Sequence, residues 1–405
     1  VASSHNWAFR ASFRRRAFRW SGTRKAIDRL TEAVGEIERM ARTDPAIAGE
    51  GAVLLLEKLS PAVSDIDSSS GALGNATAGA VERLVPIIAA APVPRSVREK
   101  WLDRLLDAIQ EDDPPYIETL GEHWGALCVD PAIASHWADQ LLPLMQHVMA
   151  DRRNGTYAYS KSGTLCYSAL FHAGRFDELL AVLALDPKPY WHDQQWAAKA
   201  LAARRDVDGA VNLMEGLRSR YAPDMALSAV AEKLLLDAGR VDEAYARYGI
   251  QATSANTNIA TYRAIARRYP AIDPCRILKD LISSTPGEEG KWFATAKTLK
   301  QYDLALELAR RAPVDPKTLV RAARDHVKSQ PAFALEVALM ALYWMARGLG
   351  YELTSADVCG ARDHALAAAE ALGLGVAASE RIAQHVAGSG ASALWVQQCL
   401  GLGAA

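Results

Sequence analysis

Apolar positions in this chain recur mainly at three- and four-residue steps, which lines them up on one face of a helix. Leu102, Leu105, Leu106 and Ile109 form one such stripe, and Leu304, Leu306 and Leu308 with Ala305 and Ala309 enrich another. Alternating Val/Ile/Thr/Tyr runs bounded by hairpin turns are missing, so strands are not expected. Prolines fall mostly between the helical stretches, at Pro45, Pro61, Pro92, Pro94, Pro114, Pro131, Pro187, Pro223, Pro313 and Pro331. There they open helices or stop them. The pattern predicts an all-α fold of many short helices.

A second periodicity lies on top of the first. An aromatic or β-branched residue followed by Asp recurs at Phe176-Asp177, Val207-Asp208, Val241-Asp242, Ile272-Asp273 and Tyr302-Asp303, in steps of 31, 34, 31 and 30 residues. Intervals of this size mark stacked helical hairpins. Each Asp is expected to start the second helix of a hairpin, where a carboxylate in the first turn meets the positive end of the helix dipole. A glycine precedes two of these starts, Gly174 and Gly239, at a place where a left-handed residue ends the first helix at low cost. Four segments are expected: a basic aromatic arm at 1–23, a helical region at 24–155, the repeats at 156–312 and a closing helical cap at 313–405. The cap holds the most apolar helix, around Phe333–Met345, and an alanine-rich one at Ala361–Leu372.

Ala173-Gly174-Arg175-Phe176-Asp177-Glu178-Leu179 and Ala238-Gly239-Arg240-Val241-Asp242-Glu243-Ala244 resemble tetratricopeptide-like (TPR-like) helical repeats. Weaker matches sit at Arg205–Ala210 and Lys300–Ala305, the unit at Asp273-Pro274 is degenerate, and the Trp-x-x-Leu-Gly opening of that family is not reproduced. The resemblance covers 156–312 and implies an α-solenoid with a protein- or peptide-binding groove on the first helices. Through Asp67-Ser68-Ser69-Ser70-Gly71 and Gly287-Glu288-Glu289-Gly290-Lys291-Trp292 the whole chain also resembles an uncharacterised bacterial all-helical family, which implies no activity.

Charge changes the picture at one end. The net charge of −1 over 405 residues hides eight cations against one Asp in residues 1–30, a local +7 that leaves −8 on the remainder. In the arm, Trp7, Phe9, Phe13, Phe18 and Trp20 interleave with Arg10, Arg14, Arg15, Arg16 and Arg19. On a helix, Phe9, Phe13 and Trp20 would share a face and Phe18 would lie opposite. Such an arm docks onto the acidic body, or contacts nucleic acid by stacking and phosphate binding, or anionic lipid. The same arginines interrupt every apolar cluster that could serve as a signal-peptide core, and no apolar run reaches bilayer length. Five scattered cysteines (Cys128, Cys166, Cys275, Cys359, Cys399) without a Cys-x-x-Cys predict buried reduced thiols and a cytoplasmic setting.

Local chemistry is sparse. Asp65–Gly71 alternates oxygen ligands as a calcium loop does, but its Gly falls one position late and Ala76 stands where a bidentate carboxylate is needed. The Gly287–Lys291 stretch lacks the spacing and the Ser/Thr of a phosphate loop. His123 and Cys128 could meet across a turn, yet two ligands do not make a metal site. Glu111, Asp112 and Asp113, before Pro114-Pro115, read as a solvated helix end. No cofactor is implied, and no catalytic motif is found. The expected role is a non-enzymatic protein-interaction scaffold. Nine residues before the repeated Asp stand Lys199 and Lys233; with Asn258, Arg263 and Lys297 on the corresponding first helices they make a candidate ladder for an acidic or C-terminal peptide. A nucleic-acid-associated factor acting through the arm is the alternative, and an enzyme with a non-local site is the third.

Overall fold

Asp-Pro pairs start four helices. Asp44, Asp130, Asp273 and Asp315 each accept a backbone amide of the helix they precede (Ile47, Ala132, Cys275 and Thr318), and the following proline supplies the first helical residue. The carboxylate satisfies an otherwise orphaned N–H, and the proline has none to lose. The structure, a computed structural model, describes residues 5–156, 158–188, 190–218 and 223–402. Among them are twenty-one α-helices, three short 3-10 turns and no strand. Among the described residues no helix is long and apolar enough to cross a membrane.

The chain divides into two compact units, Val1–Pro223 and Asp224–Ala405, and the division falls inside the repeat segment. In the first, helices Thr23–Ala41, Pro45–Val63 and Ala72–Ala90 pack mutually, and Arg95–Gln110 lies on the second of them. Helix Pro131–Arg153 then packs on Ser162–His172. One hydrophobic core runs from Trp7 to Ala200. In the second unit, helix Pro331–Ala346 is buried nearly all round by Pro316–His326, Ser355–Ala371, Gly375–His385 and Ala391–Leu400, as its uniformly apolar sequence requires.

The Asp markers are helix starts. Phe176–Leu183, Val207–Gly216, Val241–Tyr248, Pro274–Ser283 and Tyr302–Arg311 each follow, and pack against, a preceding helix: Ser162–His172, Trp191–Ala203, Asp224–Asp237, Asn258–Arg268 and Phe293–Thr298. Four of the five turns share one geometry. A residue of positive φ (Gly174 at 72°, Arg205 at 68°, Gly239 at 75°, Lys300 at 59°) stands three positions before the Asp. Two hydrogen bonds close each turn, for example Gly174 N–H to Phe171 O and Arg175 N–H to Leu170 O, or Arg205 N–H to Ala202 O and Asp206 N–H to Leu201 O. They satisfy carbonyls that the helix end would leave unpaired. The degenerate fourth turn departs as its sequence does: Asp273 is the cap itself and the residue ending the first helix, Tyr269, keeps negative φ.

Three expectations are corrected. Pro61 lies inside the last turn of Pro45–Val63, not between helices. The Pro61 and Ala62 carbonyls, at the helix end, accept the Arg16 and Phe18 amides at 2.8 and 3.4 Å, so the arm satisfies acceptors that the helix itself leaves unpaired. Asp112 is fully buried, not solvated: its carboxylate accepts the Tyr116 and Ile117 amides, and the Lys161 ammonium donates to its carbonyl. Only Cys128 and Cys166 are buried thiols, both pushed up to about 12 by burial, while Cys275 is exposed and Cys359 and Cys399 are half-buried.

Candidate functional site

The arm folds back as an irregular segment with one 3-10 turn, Ala8–Ala11, so the helical-face grouping fails. Trp7, Phe9, Phe13 and Phe18 are all buried, in a chain of ring contacts 5.4 to 6.4 Å apart, whereas Trp20 is 68 % exposed. Burial of each ring is worth about 1.5–3 kcal/mol. Backbone contacts pin the segment further: the Glu36 carboxylate accepts the Ala8 and Phe9 amides, and Trp20 O accepts the Asp67 amide. With the rings inside, the arginines are left outside. Arg16 reaches Asp65 at 3.5 Å across an exposed surface, and Arg19 stands in solvent. Arg10, Arg14 and Arg15 line an open concavity of about 500 Å³ together with Lys58, a partner too distant in sequence to be read from the arm.

In the first unit Lys199 lies on helix Trp191–Ala203, with its ammonium 4.0 Å from the Trp196 ring centroid. Trp196 is core; Trp191, half-buried, and exposed Tyr190 remain at the surface. Around Lys199 gathers a set of titratable groups that local spacing does not reveal. His192 Nε2 sits 3.0 Å from Glu122 Oε1, joining two segments seventy residues apart. That bond raises His192 and lowers Glu122 from their ordinary values, although burial opposes both shifts. Burial lowers neighbouring His123 and raises Glu118 and Asp193. The arrangement can hold or release a proton at the imidazole.

This predicts a pH signature. His192 is raised, so its contribution is complete below the ordinary imidazole value of 6.5 and fades as pH climbs past the folded value. Glu122 is lowered, so its contribution is complete above 4.5 and is lost on acidification. The pair is therefore strongest between these values, with Lys199 opposing protonation of His192 throughout. Urea unfolding of His192→Gln should show a loss of about 1–2 kcal/mol near pH 5.5 that shrinks toward pH 9. A loss independent of pH would reject the assignment.

In the second unit the remaining ladder residues have unequal surroundings. Lys233 is exposed and paired with Asp237 one helical turn on, at 3.0 Å. Asn258 starts Asn258–Arg268 and its amide donates to Lys291 O at 2.7 Å, so it ties two elements together. Arg263 is exposed midway along that helix, and Lys297 is half-buried in the last turn of Phe293–Thr298. A cavity of about 600 Å³ opens between Tyr302–Arg311 and Pro331–Ala346, with Tyr302, Leu304 and Phe333 on its walls. It lies on a second helix of a pair and contains none of the ladder residues.

The remaining motifs serve structure. Asp67 accepts the Ser69 amide and Gly71 has φ +69°, which makes the segment a capped turn. The Gly290 Cα lies so close to Pro313 that an added Cβ would come within 2.1 Å of its carbonyl oxygen, and Glu289 pairs with Arg311. Among the described residues no group of three His, Cys, Asp or Glu could hold a metal ion. No protein-family model matches the chain, and no curated protein is similar to it.

Proposed function

We propose that this chain is a non-enzymatic, cytoplasmic interaction scaffold of TPR-like helix pairs, which binds a protein partner through the exposed faces of their first helices. The observation that supports it is the recurrence of one turn geometry at Gly174, Arg205, Gly239 and Lys300, each turn joining a packed pair. Repeating units of this kind expose successive equivalent surfaces, and extended peptides bind across such surfaces. Within the first unit the ladder is represented by Lys199, within the second by Lys233, Asn258, Arg263 and Lys297. Of these Arg263 is the cation best placed to meet a carboxylate, since it is exposed and makes no ion pair among the described residues.

Affinity capture from native lysate should recover a discrete protein that survives nuclease treatment. Charge reversal at Lys199, Lys233 and Arg263 should lower its recovery about tenfold, while melting curves show the variants folded. Unchanged recovery removes the ladder from the proposal. The nucleic-acid reading keeps one favourable observation, the cations at Arg10, Arg14 and Arg15, but four of the five rings it would stack bases on are buried, and exposed Trp20 does not line the concavity with those cations.

A further inference from the structure

Many arginines of this protein are neutralised. Arg83, Arg95, Arg104, Arg152, Arg175 and Arg381 each meet a carboxylate at 2.9 Å or less. The concavity on the docked arm is different. Arg10, Arg14, Arg15 and Lys58 surround about 500 Å³ of open space, and none of the four makes an ion pair among the described residues. Its other walls are Asn6, Ala11 and the edges of buried Trp7 and Phe13, with no acid among them.

We infer that this concavity is a binding site for a compact anion bearing several phosphates. Four like charges around one space repel each other, and a multivalent anion removes that repulsion while gaining charge-assisted hydrogen bonds. Three of the four are arginines, whose planar forks match phosphate oxygens in pairs. The volume is that of a small-molecule site. The backbone carrying the arginines is fixed in advance by the Trp7 ring packed against Gly51, the Glu36 carboxylate on the Ala8 and Phe9 amides, and the Arg16 amide on Pro61 O. A ligand therefore orders only side chains, which keeps the entropic cost of binding low.

Single-stranded nucleic acid fits less well. Trp7 and Phe13 are 4 % and 1 % exposed and offer no stacking face, and exposed Trp20 does not line the space. The site shares no residue with the proposed peptide ladder, so either can fail without the other.

The test is calorimetric titration of the full chain with inorganic tripolyphosphate and with orthophosphate, at about 50 and 200 mM salt. The expected result is saturable one-to-one binding of tripolyphosphate, weaker binding of orthophosphate, and affinity that falls steeply with salt. Arg10→Gln, Arg14→Gln, Arg15→Gln and Lys58→Gln should each weaken tripolyphosphate about tenfold. Arg19→Gln, a cation of the same arm outside the concavity, should leave it unchanged. Sedimentation with vesicles containing a phosphoinositide bisphosphate, reversed by tripolyphosphate, would support the site and assign its phosphates to a lipid headgroup; binding without such sedimentation assigns them to a soluble anion. Absence of saturable binding overturns the inference. So does an equal loss in Arg19→Gln, equal sedimentation with phosphatidylserine vesicles of matched charge, or oligonucleotide affinity that grows with length and resists tripolyphosphate.

Discussion

Trp7→Ala is expected to destabilise the first unit by about 3–5 kcal/mol, the cost of emptying a well-packed aromatic site. The ring fills space that exists because residue 51 has no side chain: a Cβ there would come within 2.1 Å of the indole. Gly51→Ala tests the same contact from the other side, with the sign of the change as readout. Inside an exposed helix the substitution would gain up to about 1 kcal/mol. Against the wedged ring it should instead cost about 1–3 kcal/mol by overpacking. Denaturant melts of both variants and of the double variant measure the coupling; the double variant should lose far less than the sum, because the ring that the new methyl group strikes is gone. A stabilised Gly51→Ala would mean that the arm is not seated there.

Glu232→Ala should be comparably damaging in the second unit. The carboxylate is 2 % exposed and accepts both the Arg268 guanidinium and the hydroxyl of fully buried Tyr269. Removing it strands the phenol without an acceptor and leaves the guanidinium unpaired. Breaking a buried pair from one side costs about 3–5 kcal/mol, and the partial exposure of Arg268 points to the lower end. Glu232→Gln keeps an acceptor for the phenol and should cost clearly less. Burial and the bond to Glu232 hold Tyr269 above the ordinary tyrosine value, so its hydroxyl stays a donor through the neutral range. Equal losses for the two variants would show that packing, not the polar contact, carries the effect.

What sequence could deliver here followed from what is local. Helix stripes, the apolar hub at Pro331–Ala346 and the Asp-marked starts depend on spacing within one or two turns, and they are found where expected. The misreadings depend on contacts and backbone shape that spacing does not carry. Pro61 lies in the last turn of its helix, and the carbonyls there are met by arm amides about forty-five residues away. Asp112 is buried because two amides downstream and Lys161 converge on it. In the arm, the alternation of rings and arginines left docking, nucleic acid and lipid open, and a helical wheel sorted the rings wrongly, since the segment is not a helix. Of the candidate site, spacing supplied the arginines and could not supply Lys58, nor the His192–Glu122 pair.

The shared turn has a consequence for how this chain could change. Two of its left-handed positions are Arg205 and Lys300, so the bend is held by its pair of backbone hydrogen bonds and does not require glycine. Cβ at such a position costs about 1–2 kcal/mol, which a closed hydrogen-bonded ring can absorb. Loop side chains at these corners are consequently free to drift in charge and length while the spacing of the helix pairs stays put. Mutation can redecorate the outside of the molecule, one corner at a time, without rebuilding its frame.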